Sequence, residues 1–370
     1  MIDVPAAASL YLRPTAFIDT PFGFDGQAQR LAGGLVWFSA VEVIARAGPR
    51  RVAQRLVPLD RLGDLRAALS PPHRAWFDDL WARLIAPRPP LVLGSRTLRF
   101  DAPAVMGILN LTPDSFADGG RLGSVDAAAT AAVEMAAAGA AIVDVGGEST
   151  RPGAKPVWEG DEIARLTPLL ERLAGADLLV SVDTRKAAVM RHALALGARL
   201  VNDVSALTHD DGALGVVAAA RCPVVLMHHR GDPQTMQDDP RYDDVLLDVF
   251  DWLKARIETC VAAGIARDHI IVDPGIGFGK TLRHNIELLN GLSVLHGLGC
   301  PLLVGASRKR FIGALSNEAP ADRRLGGSVA VAIVALGQGV QLLRVHDVPE
   351  TVQAMQVWRG LRDIALTPPR

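Results

Sequence analysis

From residue 101 onward, eight short runs rich in Val, Ile and Leu alternate with Ala- and Leu-rich stretches of helical period: Val105–Thr112, Ile142–Gly146, Leu178–Thr184, Leu200–Val204, Val224–His229, Ile270–Gly275, Leu302–Ser307 and Leu342–Asp347. Short, nearly unbroken apolar runs read as strands buried on both faces, and their alternation with helices calls for a parallel sheet. Two architectures accept that pattern: a doubly wound open sheet and a closed (β/α)8 barrel, which normally fills ~250 residues.

The polar residues separate the two. Asn110, Asp144, Asp183, Asn202, His228, Asp273, Ser307 and the pair Arg344 and His346 stand at the carboxyl ends of the runs. In an open sheet only the strands at the switch point end in ligand-binding chemistry. Polar ends on every run converge if the sheet closes, so the pattern predicts an α/β fold, a (β/α)8 TIM barrel over residues 101–370, with the active site on that rim.

Residues 1–100 are rich in Arg, Leu, Ala and Pro and predict a mostly helical N-terminal extension without a catalytic motif. Its clearest element is an amphipathic helix over His73–Ala86, with Trp76, Leu80, Trp81 and Leu84 on one stripe. Leu91-Val-Leu and Thr97-Leu-Arg-Phe are expected to form a small hairpin plugging the bottom of the barrel.

Composition narrows the function classes. With 39 Lys+Arg against 40 Asp+Glu the net charge is -1, which gives no field for blanket attraction to nucleic acid or anionic lipid. Aromatic residues make up 5% of a chain that is 49% hydrophobic, so Ala, Val, Leu and Ile must build the core. Cys222, Cys260 and Cys300 are odd in number and far apart, which excludes a disulfide framework and fits a reducing cytoplasm. The stretch Val329–Leu343 carries Gln338 and Gln341 and is shorter than the ~20 residues of a spanning helix. Met1–Leu12 has no basic region ahead of its apolar residues, so no secretory signal is expected.

Several motifs carry chemistry. Asp273-Pro-Gly-Ile-Gly-Phe-Gly-Lys is not a phosphate loop, because Pro274 stands where that pattern needs Gly, and its glycines lack dinucleotide spacing. They suggest a loop whose backbone approaches a ligand closely, with Lys280 as its charge, or else a structural turn. Neighbouring His228 and His229 point to opposite faces of a strand, so they do not make a metal pair. Arg344 and His346, two apart on a strand, share a face and suit an anionic ligand. Ser307-Arg-Lys309-Arg ends a strand and opens a helix, where N–H groups and cations attract a carboxylate or phosphate, unless it is a solvated basic surface. Asp183 and Asp273 are costly to bury unless they accept hydrogen bonds, which a heterocycle with amino and ring N–H groups supplies; Asn202 offers that edge a donor and an acceptor. Asp144 reads as a cap for the following helix. Two loops, Asn110–Gly120 and Gly146–Gly153, are placed to act as lids.

Taken in order, Met106-Gly-Ile-Leu-Asn-Leu-Thr-Pro-Asp-Ser-Phe, Asp144-Val-Gly-Gly-Glu-Ser-Thr-Arg-Pro-Gly, Ser181-Val-Asp-Thr, Val201-Asn-Asp-Val, the Asp273–Lys280 block, Ser307-Arg-Lys and Arg344-Val-His-Asp resemble the dihydropteroate synthase family over about residues 103–365. The resemblance implies condensation of 6-hydroxymethyl-7,8-dihydropterin pyrophosphate with 4-aminobenzoate, Mg2+ as cofactor, sulfonamide inhibition and a homodimer. By similarity Asp183, Asn202, Met227, Asp273, Lys309 and Arg344 would hold the pterin. Asn110 would bind the metal, and Asn110, Arg344 and His346 the diphosphate. Thr150, Arg151, Pro152, Phe278, Ser307 and Lys309 would shape the aminobenzoate slot. Asp118 matches the aspartate that stabilises a pterin cation in an SN1-like path.

The match has departures. Arg310 follows Lys309 where some relatives carry a serine that contacts the aminobenzoate carboxylate, and the first hundred residues match nothing in the family. Two other readings compete: a pterin-binding methyltransferase domain, which needs no diphosphate grip, and a paralogue that binds pterin without turnover.

Overall fold

The computed structural model describes residues 4–111, 124–149, 154, 156–231 and 235–367. Strands β1 (Ser9–Ile18), β2 (Gln29–Arg30), β3 (Trp37–Ala47) and β4 (Arg50–Pro58) form an antiparallel sheet ahead of the barrel, with β1 and β4 on opposite sides of β3. The expected mostly helical extension is thereby corrected. Helices Leu62–Ala68 and Pro71–Ile85 are present, but the sheet leads the segment. Arg and Ala suggest helix by propensity, yet β3 sits between two strands and buries Phe38, Val41, Val43, Ile44 and Ala45, and packing of that kind overrides propensity. On Pro71–Ile85 the buried stripe is His73, Phe77, Leu80 and Leu84, with Trp76 and Trp81 half-buried beside it.

This sheet docks on helix Val245–Ala262 and on the 3-10 turn Leu292–Leu298. Tyr11 Oη donates to Asp251 Oδ2 at 2.7 Å, Arg46 pairs with Asp248 at 2.6 Å, and Ser293 Oγ donates to the carbonyl of Pro14 at 2.7 Å. Leu10, Tyr11, Leu12 and Phe38 share one apolar core with Phe250, Leu253 and Ile257 of the helix.

The hairpin of β5 (Leu91–Leu93) and β6 (Arg96–Leu98) forms as expected. Leu91, Leu93, Leu98 and Phe100 bury against Met106, Ile142, Leu200, Val225, Ile271, Leu303 and Leu342 from the barrel strands. A stopper of this size seals the lower end, so ligands enter at the other.

The barrel strands are β7 (Ala104–Asn110), β8 (Ile142–Gly146), β9 (Val180–Asp183), β10 (Leu200–Asp203), β11 (Val224–Met227), β12 (Ile270–Asp273), β13 (Leu303–Val304) and β14 (Leu342–Val345). They pair in parallel from β7 to β12 in sequence order, with β14 on the other side of β7 and β13 beyond it. A parallel bridge between Val272 and Leu302 closes the ring. That closure settles the choice between barrel and open sheet. No helix among the described residues is long and apolar enough to cross a membrane.

Candidate active site

Parallel register brings strand-end side chains to similar heights. Asn202 lies beside Asp183, Met227 beside Asp273, and Gly146 between Asn110 and Asp183. Arg344 is the hub. Its Nε donates to Asp144 Oδ2 at 2.6 Å and its Nη2 to Asp183 Oδ2 at 2.6 Å, while Asn202 Nδ2 donates to the same Asp144 oxygen at 2.9 Å. Asp144 Oδ1 and Asp183 Oδ1 are buried and take no hydrogen bond from a described residue. Acceptors left in that state are costly unless a donor meets them.

Burial pushes the Asp183 carboxyl upward, Arg344 pulls it back and Asp144 pushes it up again, leaving its pKa at about 7. Burial opposes the charge of Arg344, but Asp144 and Asp183 outweigh it and hold the guanidinium above its ordinary pKa. Asp273 is raised by burial against the pull of Lys309, and its Oδ1 accepts the N–H of Gly275 at 2.7 Å. A side chain at Gly305 would lie 3.7 Å from Arg344 Cβ and 3.8 Å from Asp273 Oδ2, so both groups flank one spot.

Lys309 is a second cation, just past the end of β13, the strand next to the one that carries Arg344. Its Nζ donates to the carbonyl of Ile276 and sits 4.6 Å above the Phe278 ring. Burial lowers its pKa to about 8, with Asp273 opposing and Arg344 reinforcing the shift. Of its basic neighbours, Arg308 is spent on Asp347, its Nε donating to Oδ2 at 2.9 Å, and Arg310 is exposed. Ser307 Oγ accepts the backbone N–H of His346 at 3.2 Å and lies 3.1 Å from His346 Nδ1. Asn110 closes β7 with Oδ1 facing Gly146, where a Cβ would stand 3.3 Å from that oxygen. Asp118, Thr150, Arg151 and Pro152, together with the tips of both expected lids, lie outside the described residues.

Three points differ from what the sequence suggests. Asp144 is no helix cap: it is the middle residue of β8, fully buried, and bonds over the intervening β7 to Arg344 of β14. At two glycines of the 275–279 loop the space a side chain would take is filled by protein backbone, which fits the structural-turn reading. A Cβ on Gly275 would stand 1.8 Å from the His228 carbonyl oxygen, and one on Gly279 would stand 2.3 Å from that of Arg230. Both have positive φ, which favours Gly a second time.

The third change is a buried network that the sequence reading missed. Glu148 accepts from Arg185 at 3.2 Å, pairs with Lys186 at 3.1 Å and takes the N–H of Val157 at 3.0 Å; Lys186 also donates to Glu162 at 2.6 Å. One carboxylate thus ties residue 148 to residue 157. The signal available was the placement of Glu148 and Arg185-Lys186 just past the ends of neighbouring strands.

The barrel with buried acceptors and cations at one mouth is the part of the chain that known proteins match: residues 106–346 match the family described as pterin binding enzyme. Dihydropteroate synthase of Escherichia coli K12 is 48% identical over 262 residues, covering 70% of this chain and 92% of that protein. The Yersinia pestis dihydropteroate synthase in a sulfonamide drug complex superposes with TM-score 0.71 at 48% identity, covering 74% of this chain and 100% of that one. The Xanthomonas albilineans enzyme with 7,8-dihydropteroate gives TM-score 0.67 at 43% identity, covering 76% and 100%. The chain belongs to the dihydropteroate synthase family, transferases of folate biosynthesis that join 6-hydroxymethyl-7,8-dihydropterin pyrophosphate to 4-aminobenzoate and release pyrophosphate.

Proposed function

We propose that this chain performs that reaction at the barrel mouth with the following division of labour. Asp183, Asn202 and Asp273 hold the donor edge of the pterin, Lys309 meets its oxo and ring-nitrogen side, Arg344 lies over the ring, and Met227 lines the pocket. The observation that carries this reading is the pair of buried acceptors on Asp144 and Asp183, which an amino and ring N–H edge would satisfy. Arg344 and His346, joined by Asn110, take the diphosphate. Cations at this position suit an anionic leaving group, which a methyl-carrier domain does not have.

Mg2+ fits as a second holder of the diphosphate. Among the described residues no group of three or more His, Cys, Asp or Glu is arranged to hold a metal, but Asn110 offers one carboxamide oxygen. Mg2+ commonly binds through one or two protein oxygens plus substrate phosphates, and when bound here it would neutralise charge on the departing group.

The C–O bond to the diphosphate breaks first and its electron pair leaves with oxygen. Asp118 then faces a methylene cation conjugated with the pterin. The arylamine lone pair of 4-aminobenzoate closes the C–N bond and the amine loses one proton. Thr150, Arg151, Pro152 and Phe278 form the slot, with Ser307 and Lys309 at its carboxylate. The purified chain is expected to release pyrophosphate only when both substrates and Mg2+ are present, to stop on chelation, and to show sulfonamide inhibition that 4-aminobenzoate reverses. Failure to form dihydropteroate under these conditions would leave a binding-only protein.

Two further features belong to this reading. Helix Val348–Ala365 exposes Val357, Leu361 and Ile364 at helical spacing, with Val334 exposed on the helix packed beside it. An apolar stripe of this kind supports a homodimer through the helical side of the barrel. Sedimentation equilibrium is expected to return twice 39.3 kDa, and a monomer mass would refute it. Three buried free thiols, Cys222, Cys260 and Cys300, suit a reducing cytoplasm.

A further inference from the structure

Lys280 has no part in the roles above, yet it is only 3% exposed and forms an ion pair with no carboxylate among the described residues. Its Nζ donates to the carbonyls of Phe278 at 3.0 Å and His228 at 3.4 Å, and lies 2.9 Å from His228 Nδ1. When Lys280 is the donor in that contact, Nδ1 accepts and the imidazole proton sits on Nε2. On its other side the His228 ring meets Trp252 edge-on at 5.0 Å, which keeps it from swinging away.

Burial drives the Lys280 amine well below its ordinary pKa, with Asp273 opposing and Lys309 reinforcing the shift. An amine taken from water without a carboxylate partner costs folding free energy in either protonation state. Its acceptors join two segments, the end of β11 and the glycine loop. That loop carries the Ile276 carbonyl and the Phe278 ring, both of which touch Lys309, and the Gly275 N–H that Asp273 accepts.

We propose that Lys280 is a positioning residue of the pterin site: by pinning the carbonyls of His228 and Phe278 with one nitrogen, it sets the height of the glycine loop and so the places of Lys309 and Asp273. The proposal rests on the pterin-site assignment given above. Its test is binding of 6-hydroxymethyl-7,8-dihydropterin pyrophosphate, with steady-state kinetics and melting temperature, to the full chain carrying Lys280→Met, Lys280→Gln or, for reference, Asp273→Asn.

Asp273→Asn and Lys280→Met are each expected to weaken binding about tenfold or more. In Lys280→Met the desolvated amine is removed while two carbonyls lose their donor, so the melting temperature is expected to move little and not in proportion to the loss of affinity. The loss shows in KM, while kcat at saturation changes less, and Lys280→Gln, which keeps two N–H donors, recovers most of the affinity. Lys280→Met and Lys280→Gln binding as tightly as the native chain while Asp273→Asn is weakened would overturn the proposal, as would a loss that only tracks a falling melting temperature. Native affinity in Asp273→Asn would instead remove the site assignment, and the proposal with it.

Discussion

Replacing Arg344 by Met is expected to cost about 10²–10³-fold in kcat/KM and about 3–5 kcal/mol in stability, because one guanidinium serves two buried carboxylates and the developing charge of the diphosphate. The penalty has a pH signature. Asp183 already titrates near 7 with Arg344 beside it, and removing that cation moves its pKa further up. For an acid whose folded pKa lies above its unfolded value of ~3.9, stability is fully present below the unfolded pKa and is lost as pH rises through the folded one. At pH 5 the carboxyl is largely protonated and needs the arginine less. Denaturation of native and Arg344→Met chains is therefore expected to differ least at pH 5 and most at pH 8. A penalty equal at both pH values would mean that Asp183 does not depend on Arg344 for its charge.

The Arg344–Asp144 bond also marks where sequence reading stops. Arg344 and Asp144 are each visible at the end of an apolar run, and the barrel follows from those runs together with the polar residues that end them: Ile142–Gly146 forms β8 with the expected bounds. Which inward side chains meet over an intervening strand depends on register and strand order, and those two residues are 200 positions apart. Asp144 looked like a cap because caps are local and the partner was not. The glycines of the 275–279 loop stay open between ligand approach and structural turn in the sequence for a similar reason, since the tight neighbour at two of them is the backbone of His228 and Arg230, just past the end of the adjacent β11. In the extension, Arg- and Ala-rich composition suggested helix, while the deciding term was burial of β1 and β3 against helix Val245–Ala262. Leu302–Ser307 shortens to Leu303–Val304 because Leu302 keeps only a single bridge, Gly305 and Ala306 leave the ladder, and the chain turns at Ser307–Arg308 ahead of Lys309.

Lys309 bears on turnover in a different way, since its cation is present or absent within the working pH range. Its pKa of about 8 results from burial beside Arg344, partly offset by Asp273, and the proton leaves as pH rises through that value. Asp183 ionises near 7 on the acid side. Because kcat/KM reports the groups of the free enzyme, its pH profile is expected to be a narrow bell, rising near 7 and falling near 8. Lys309→Arg carries a guanidinium that does not deprotonate in this range, so it should lose the alkaline limb and keep the acid one. Lys309→Met should also lose that limb, at a level lower by about 10²-fold, the scale of a charge-assisted hydrogen bond. Stability should move the other way: a base with a depressed folded pKa destabilises the native chain at neutral pH, so Lys309→Met is not expected to melt earlier. An alkaline limb persisting unchanged in Lys309→Arg would assign it to another group near the mouth, with Lys280 and Asp273 the nearest to examine. Loss of the limb together with an unlowered melting temperature would place the titrating charge at Lys309, on the face where the pterin and 4-aminobenzoate must meet.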